Sequence, residues 1–263
     1  MFNYHIAIPS FNRPHKIIKY TLPLIERQII IPMNVITIFV NDEAQYELYK
    51  KAIDENFADA GINIHITNCK GIGRNRQYIR NFYPDNSLVV FMDDDIEKVI
   101  EKGKPTCELH ILFNLGFAYC EEEKATLWGI PLVDNEFYMK NDVSINLKYI
   151  GAVYGVILTP AVKEIKIDID QWEDYLVSVE HFYIDGKVIR LNNYGIKSRW
   201  YSPDGGICSA MGGKENRMAM LEESGRALCD KYPRAMSLYY KKDGTPNIRL
   251  NYRLRPLAPA FVS

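Results

Sequence analysis

Three consecutive carboxylates, Asp93, Asp94 and Asp95, close the run LVVFMDDDI at Leu88 to Ile96. Like charges packed this closely are costly to desolvate, so they call for a positive partner, and a divalent cation such as Mg²⁺ or Mn²⁺ is the economical one. Strand alternation carried past Met92 would turn Asp93 and Asp95 to one side, where both could face a single ion. The same residues also fit a capping box, with Asp94 and Glu97 opening a helix near Ile96. Upstream, KGIGRNRQYIRNFYP sets a glycine turn before a helix that carries Arg74, Arg76 and Arg80. A helix start followed by guanidiniums suits a diphosphate; a solvated basic face after a glycine turn reads equally well. Downstream, KIDIDQWEDYLVSVEHFYIDG offers Asp170 as the N-cap of a helix with Glu173 and Asp174 near its start and His181 on a later turn. Those acids are candidate proton acceptors, and they are also what a helix dipole favours in a first turn.

The elements that must position these groups read as an α/β layer structure. Tyr4–Ile8 is a short apolar strand running into PSFNRP, a polar turn at the edge where open α/β sheets bind ligands. A helix is expected over His15–Ile25, then a buried strand over Val35–Val40 ending in Asn41 and Asp42. Tyr46, Tyr49, Ile53 and Phe57 recur at helical spacing until Gly61. Ile62–Ile66 is a third strand and the acidic run a fourth, so strand, loop and helix alternate as in a parallel-biased sheet. Beyond it the patterning predicts a helix over Glu108–Glu123 and strands over Ala125–Val133 and Tyr149–Leu158, joined by a polar connection at Asn135–Asn146. A short strand at Val188–Leu191, a glycine-rich loop at Ser202–Gly213 and a helix from Lys214 to about Lys231 follow. Met236–Leu254, turning at Asp243–Gly244, reads as a hairpin. Strand periodicity along it would align Arg249, Arg253 and Arg255 on one face with Tyr252 opposite, a basic stripe that equally suits a charge-guarded edge strand.

The chain has 263 residues, 47% of them hydrophobic and 25% charged, with a formal net charge of -1. That balance argues against attachment to nucleic acid by bulk charge, and leaves room for a local basic groove. Cys69, Cys107, Cys120, Cys208 and Cys229 are widely spaced with no CxxC pair, which points to reduced thiols. With no leader-like start and no apolar run of membrane-spanning length, the expectation is a soluble, cytoplasmic protein with no membrane partner. The glycine-dense loop lacks the GxxxxGK[ST] spacing of a P-loop, which excludes that class of nucleotide hydrolase.

Taken in order, PSFNR after the first strand, VND after the second, KGIGRN after the third and FMDDD after the fourth resemble the nucleotide-sugar half of a GT-A glycosyltransferase. The likeness covers roughly the first 100 residues, and WED at Trp172–Asp174 extends it. It implies one GT-A-like domain over residues 1–263, an α/β fold with a central, mostly parallel mixed sheet flanked by helices. Residues 1–100 would form the nucleotide-sugar half and 101–263 the acceptor half. It implies that Asp93 and Asp95 hold Mn²⁺ or Mg²⁺ on the diphosphate of a UDP-sugar, with Asp94 beside them at the donor. Pro9, Asn12, Arg13 and Asp42 would then surround the nucleoside, and Gly71, Arg74 and Asn75 would lie near the base or diphosphate. His181 is the candidate third metal ligand, although a lone histidine near a helix end also reads as structural. Asp174 is the first candidate for general base and Glu173 the second.

Within that superfamily, PSFNRP, the GI-x-RN turn and DDDI are most similar to the DNA glycosyltransferases related to the base J glucosyltransferase, of which phages carry versions. This implies inverting transfer to the hydroxymethyl group of a modified pyrimidine in DNA, inside the host cytoplasm. Lys197, Arg199, Trp200 and Tyr201, with the C-terminal arginines, would then supply an acceptor groove. The alternatives are a GT-A enzyme acting on a glycan, lipid or protein, and a non-catalytic nucleic-acid-binding module whose acids cap helices.

Overall fold

The computed structural model describes residues 2–198 and 214–256. Strand and helix alternate from the start: β1 (Tyr4–Pro9), α1 (Pro14–Lys19), α2 (Thr21–Glu26), β2 (Ile36–Val40), α3 (Glu43–Asn56), β3 (Asn63–Ile66), α4 (Ile72–Phe82) and β4 (Leu88–Met92). The single helix expected over His15–Ile25 is two short ones, broken at Tyr20. Pro23 falls in the first turn of α2, where a missing N–H loses no helical bond. The four strands pair in parallel in the order β3-β2-β1-β4. Every return therefore runs through a helix, and all four strands end at the same edge of the sheet. β4 is buried on both faces. Its Val90 and Met92 join a core with residues of α1, α2, α3 and α5 (Leu109–Glu123), while Val89 and Phe91 join a second core under α4.

After the acidic run the chain continues through β5 (Ile96–Glu101), β6 (Leu127–Gly129), β7 (Val143–Asn146), β8 (Val153–Ile157), α6 (Pro160–Lys163), α7 (Glu173–Asp185), β9 (Val188–Leu191) and β10 (Tyr194–Ser198). α8 (Lys214–Lys231) precedes a hairpin of β11 (Met236–Tyr240) and β12 (Pro246–Leu250). β8 pairs antiparallel with β4, and the sheet runs on through β6 and β9 to β7, giving eight strands in a mixed sheet with helices on both faces.

Several expectations change here. Ile96 begins a strand paired antiparallel with β10, so Asp94 and Glu97 open no helix. The polar connection at Asn135–Asn146 contains the edge strand β7, and the strand expected over Ala125–Val133 shrinks to Leu127–Gly129. β12 ends at Leu250, and Arg253 N donates to Asn251 Oδ1 in a turn. Without strand geometry past Leu250, Arg249, Arg253 and Arg255 do not form the expected stripe. Arg249 instead lies 4.8 Å over the ring of Tyr239. Arg199, Trp200, Tyr201 and the loop at Ser202–Gly213 lie outside the described residues. Among the described residues no helix is long and apolar enough to cross a membrane.

Candidate active site

The acidic turn sits where β4 leaves the sheet. Asp93 N donates to Ala152 O at 2.9 Å, and the fully buried Thr21 donates its hydroxyl to Asp93 O at 2.9 Å while accepting from Ile96 N at 3.0 Å. This clamp ends the strand at Met92, and the three carboxylates take different hydrogen-bond partners. Asp94 is fully buried, accepting from Arg13 Nε at 3.1 Å, pairing with Arg13 Nη2 at 2.6 Å, and accepting from Ser10 Oγ. Ser10 Oγ in turn bonds Tyr49 Oη at 2.5 Å. Burial pushes Asp94 up to about 7, against the pull of Arg13 and Ser10. Asp95 Oδ1 accepts from Ser198 Oγ at 2.6 Å, and its Oδ2 lies 3.6 Å from Arg13 Nη1. Asp93 Oδ1 accepts from Arg76 Nη2 at 2.8 Å, and about a third of its side chain (34%) is exposed.

Arg76 ties this turn to the start of α7. It is 4% exposed, and its Nη1 pairs with Glu173 Oε1, so one guanidinium joins Asp93 to Glu173. Asp174, next along, accepts from Tyr149 Oη at 2.5 Å and from Tyr175 N at 2.8 Å, and is only partly buried. Burial raises the pKa of both Glu173 and Asp174. Four carboxylates thus pair with two guanidinium groups and a fifth, Asp174, adjoins them, a concentration of negative charge that favours a cation.

Asp170 does not cap α7. Its Oδ1 accepts from Gly73 N at 3.0 Å and so caps α4, while Trp172, left-handed at φ 62°, stands at the α7 N-cap without a side-chain bond. The glycines of KGIG exist for this contact. A Cβ on Gly71, itself at φ 91°, would run into the Asp170 carboxylate, and one on Gly73 would run into Ile169 O. The start of α4 is therefore satisfied by the chain's own carboxylate.

The remaining sequence candidates fall into three places. Pro9 ends β1. Asn12 N donates to Gln45 Oε1 at 2.7 Å, and Asp42 accepts from Gln45 N at 2.9 Å, so Gln45 draws the two loops that hold Asn12, Arg13 and the exposed Asp42 together. Arg74 is exposed, and Asn75 is buried with its side-chain oxygen unbonded. His181 is elsewhere. Fully buried, it bonds Thr126 Oγ1 at 2.7 Å and Arg80 Nη2 at 3.3 Å, two helical turns and roughly 12 Å along α7 from Glu173. The structure does not bring it to the acidic turn, and both ring nitrogens are engaged. Sequence reasoning named Arg76 only among three arginines suited to a diphosphate and missed its place between two carboxylates, along with Ser10, Tyr49 and Gln45. The signal for Arg76 was present: it lies four residues after Ile72 and three before Ile79, on the apolar face of α4.

Among the described residues, no group of three or more His, Cys, Asp or Glu is arranged to hold a metal ion. What does fit is a smaller set. Asp93 Oδ2 and Asp95 Oδ2 carry no hydrogen bond among the described residues, and a hard ion of the Mg²⁺ type takes one or two carboxylates and draws its other oxygens from phosphate and water.

A parallel half whose strands end at an acidic turn, extended by a mixed second half with helices on both faces, is the GT-A type of α/β fold. Solved structures share it. Residues 1–349 of S. aureus TarS in complex with UDP-GlcNAc match with a TM-score of 0.56 at 12% identity, over 88% of this chain and 66% of that one. Glucosyl-3-phosphoglycerate synthase from Mycobacterium tuberculosis, in complex with Mn²⁺, UDP and phosphoglyceric acid, matches with a TM-score of 0.50 at 11% identity, over 97% of this chain and 89% of that one. A mycobacterial protein matches with a TM-score of 0.52 at 11% identity, over 98% and 85%. At such identities the likeness establishes the fold alone, and the chain spans 66% of the TarS fragment. No protein-family model and no curated protein matches the sequence.

Proposed function

We propose that the protein is a glycosyltransferase that moves a sugar from a UDP-sugar to a hydroxyl acceptor with the help of Mg²⁺ or Mn²⁺. The observation that carries this reading is the acidic turn closing β4, held between Arg13 and Arg76 at the edge where four parallel strands end. Support comes from the fold, shared with proteins solved with UDP-GlcNAc and with UDP and Mn²⁺. Asp93 and Asp95 would hold the ion, which when bound neutralises charge on the departing diphosphate. Pro9, Asn12, Arg13 and Asp42 bind the nucleoside, with Gly71, Arg74 and Asn75 toward the base or diphosphate. Asp174 takes the proton from the acceptor hydroxyl. Its exposure exceeds that of Glu173, and the Tyr149 hydroxyl orients its Oδ2. Glu173, held by Arg76, positions the turn that presents Asp174.

The finer reading, that the acceptor is a hydroxymethyl group on a pyrimidine in DNA and that transfer inverts the anomeric carbon, rests on the PSFNRP, GI-x-RN and DDDI resemblance. The test incubates the protein with several nucleotide sugars and Mn²⁺, offers hydroxymethylcytosine, hydroxymethyluracil and plain DNA, and reads the nucleosides by mass spectrometry. Asp95→Asn abolishes transfer and metal-dependent donor binding. Asp174→Asn keeps donor binding and loses transfer by about a hundredfold or more. Absence of metal-dependent UDP-sugar binding in the wild type would overturn the transferase reading, and transfer to none of the DNA acceptors would overturn the finer one.

A further inference from the structure

A second polar cluster lies at the outer end of the sheet, on the acceptor side. Arg190 of β9 stands opposite Ser144 of β7, and alternation puts Asn146 on that same face, which is the face of α7 because Val188, opposite Asn146, packs in the α7 core. Arg190 Nε donates to Asn192 Oδ1 at 2.8 Å, and Asn192 Nδ2 donates to Asp142 Oδ1 at 2.6 Å and Ser144 Oγ at 2.8 Å. The two terminal nitrogens of Arg190 carry no hydrogen bond among the described residues. Lys148 Nζ lies 4.1 Å over the ring of Tyr252, which is 44% exposed, and Tyr252 O accepts from Asn146 Nδ2 at 3.4 Å. The side-chain oxygen of Asn146 is buried without a partner. Lys148 feels its neighbours: burial first, then the charges of Arg190 and Lys140, lower its pKa, with Asp142 opposing. Three cations therefore gather around one acid. The residue after Lys148 is Tyr149, whose hydroxyl holds Asp174 and whose ring packs 4.6 Å from that of Tyr175.

We propose that Lys148 and Arg190, together with the ring of Tyr252, form a subsite for a phosphodiester and adjoining base of a single-stranded nucleic acid. Lys148 and Arg190 feel the charge of Asp142 but form no direct ion pair among the described residues, and such a surplus of cations recognises phosphate, while an exposed ring interleaved with them recognises the flat face of a base. A polyol phosphate would use the cations and leave the ring idle. The proposal rests on the transferase reading for the word acceptor: the subsite lies one residue from the tyrosine that orients Asp174, so a strand bound here presents its neighbouring nucleotide to the base.

The test is anisotropy of a labelled single-stranded pyrimidine oligonucleotide against the full chain over a salt series, with UDP-sugar binding followed separately by calorimetry. Lys148→Gln and Arg190→Gln should each lower the salt slope of log affinity by about 0.7, the single-strand value for one phosphate contact. Tyr252→Leu should weaken binding roughly tenfold and leave the slope unchanged. UDP-sugar affinity should stay at the wild-type value in Lys148→Gln, showing an intact fold. Wild-type slopes in both charge variants would overturn the subsite. A glycerol phosphate oligomer of equal charge that competes as well as the oligonucleotide would overturn the nucleic-acid assignment. Oligonucleotide binding with these slopes in a protein that binds no UDP-sugar would refute the transferase reading and leave the subsite standing.

Discussion

Replacing Arg76 with leucine removes a guanidinium that touches both Asp93 and Glu173. The two losses differ in size. Asp93 is about a third exposed, so water replaces its donor and that side costs about 1 kcal/mol or less. Glu173 is 7% exposed, and its Oε2 already lacks a hydrogen-bond partner, so it has no replacement. Breaking a buried pair by removing one partner costs about 3–5 kcal/mol. Burial raises the Glu173 pKa to about 8 even against the pull of Arg76, so the orphaned acid keeps a proton and the loss sits at the lower end of that range. Urea unfolding of wild type and variant at pH 7 measures it, and Glu173→Gln added to Arg76→Leu should recover most of the loss. A deficit below about 1 kcal/mol, with no recovery in the double variant, would refute the reasoning.

Thr21→Val leaves Asp93 O and Ile96 N without their bond to the hydroxyl; unfolding should cost about 1–3 kcal/mol more cheaply, and an unchanged midpoint would show the clamp to be idle. Gly73→Ala places a methyl against Ile169 O, which should destabilise by about 1–3 kcal/mol in the same assay; wild-type stability would mean the 167–170 segment yields freely. His181 is held well below its usual pKa of 6.5 by burial and then by Arg80, so the unfolded chain takes up a proton that the folded one refuses. Stability should fall as pH drops below about 6.5, by up to about 1.4 kcal/mol per pH unit, and His181→Gln should remove that contribution to the slope. An identical slope in the variant would contradict it.

Local pattern made the parallel half of the sheet legible. β4 declares itself through five apolar residues in a row, and α3 through its apolar spacing, because each signal lies within one element. What escaped depends on partners far along the chain. The Asp94–Glu97 spacing fits a helix start, and only β10, about a hundred residues later, makes Ile96–Glu101 a strand. VSIN of β7 is too short and polar to stand out, and its pairing with β9 defines it. Asp170 reads as the cap of its own helix, since nothing near it announces that Gly73 will take the bond instead. The basic stripe failed at Asn251, whose amide bonds Ala235 O and whose side chain accepts from Arg253 N, bending the chain where alternation needed it straight.

The bond from Gly73 to Asp170 is one of several long-range bonds made by a single helix. Along α4, Gly73 donates to Asp170, Arg76 pairs with Glu173, Gln77 accepts from Ile167 N at 3.0 Å and donates to Lys163 O at 3.2 Å, and Arg80 reaches His181. Glycine, arginine and glutamine on successive turns thus bind the chain entering α7 and the body of α7 itself. Because α4 also carries the guanidinium that meets Asp93, the acidic turn and the pair Glu173–Asp174 are set in register by one rigid element. In the transfer we propose, a catalytic carboxylate must sit within hydrogen-bond reach of the proton it takes while the diphosphate site stays fixed. The buried polar bonds of α4, costly as individual interactions, supply that constraint between the two halves of the sheet.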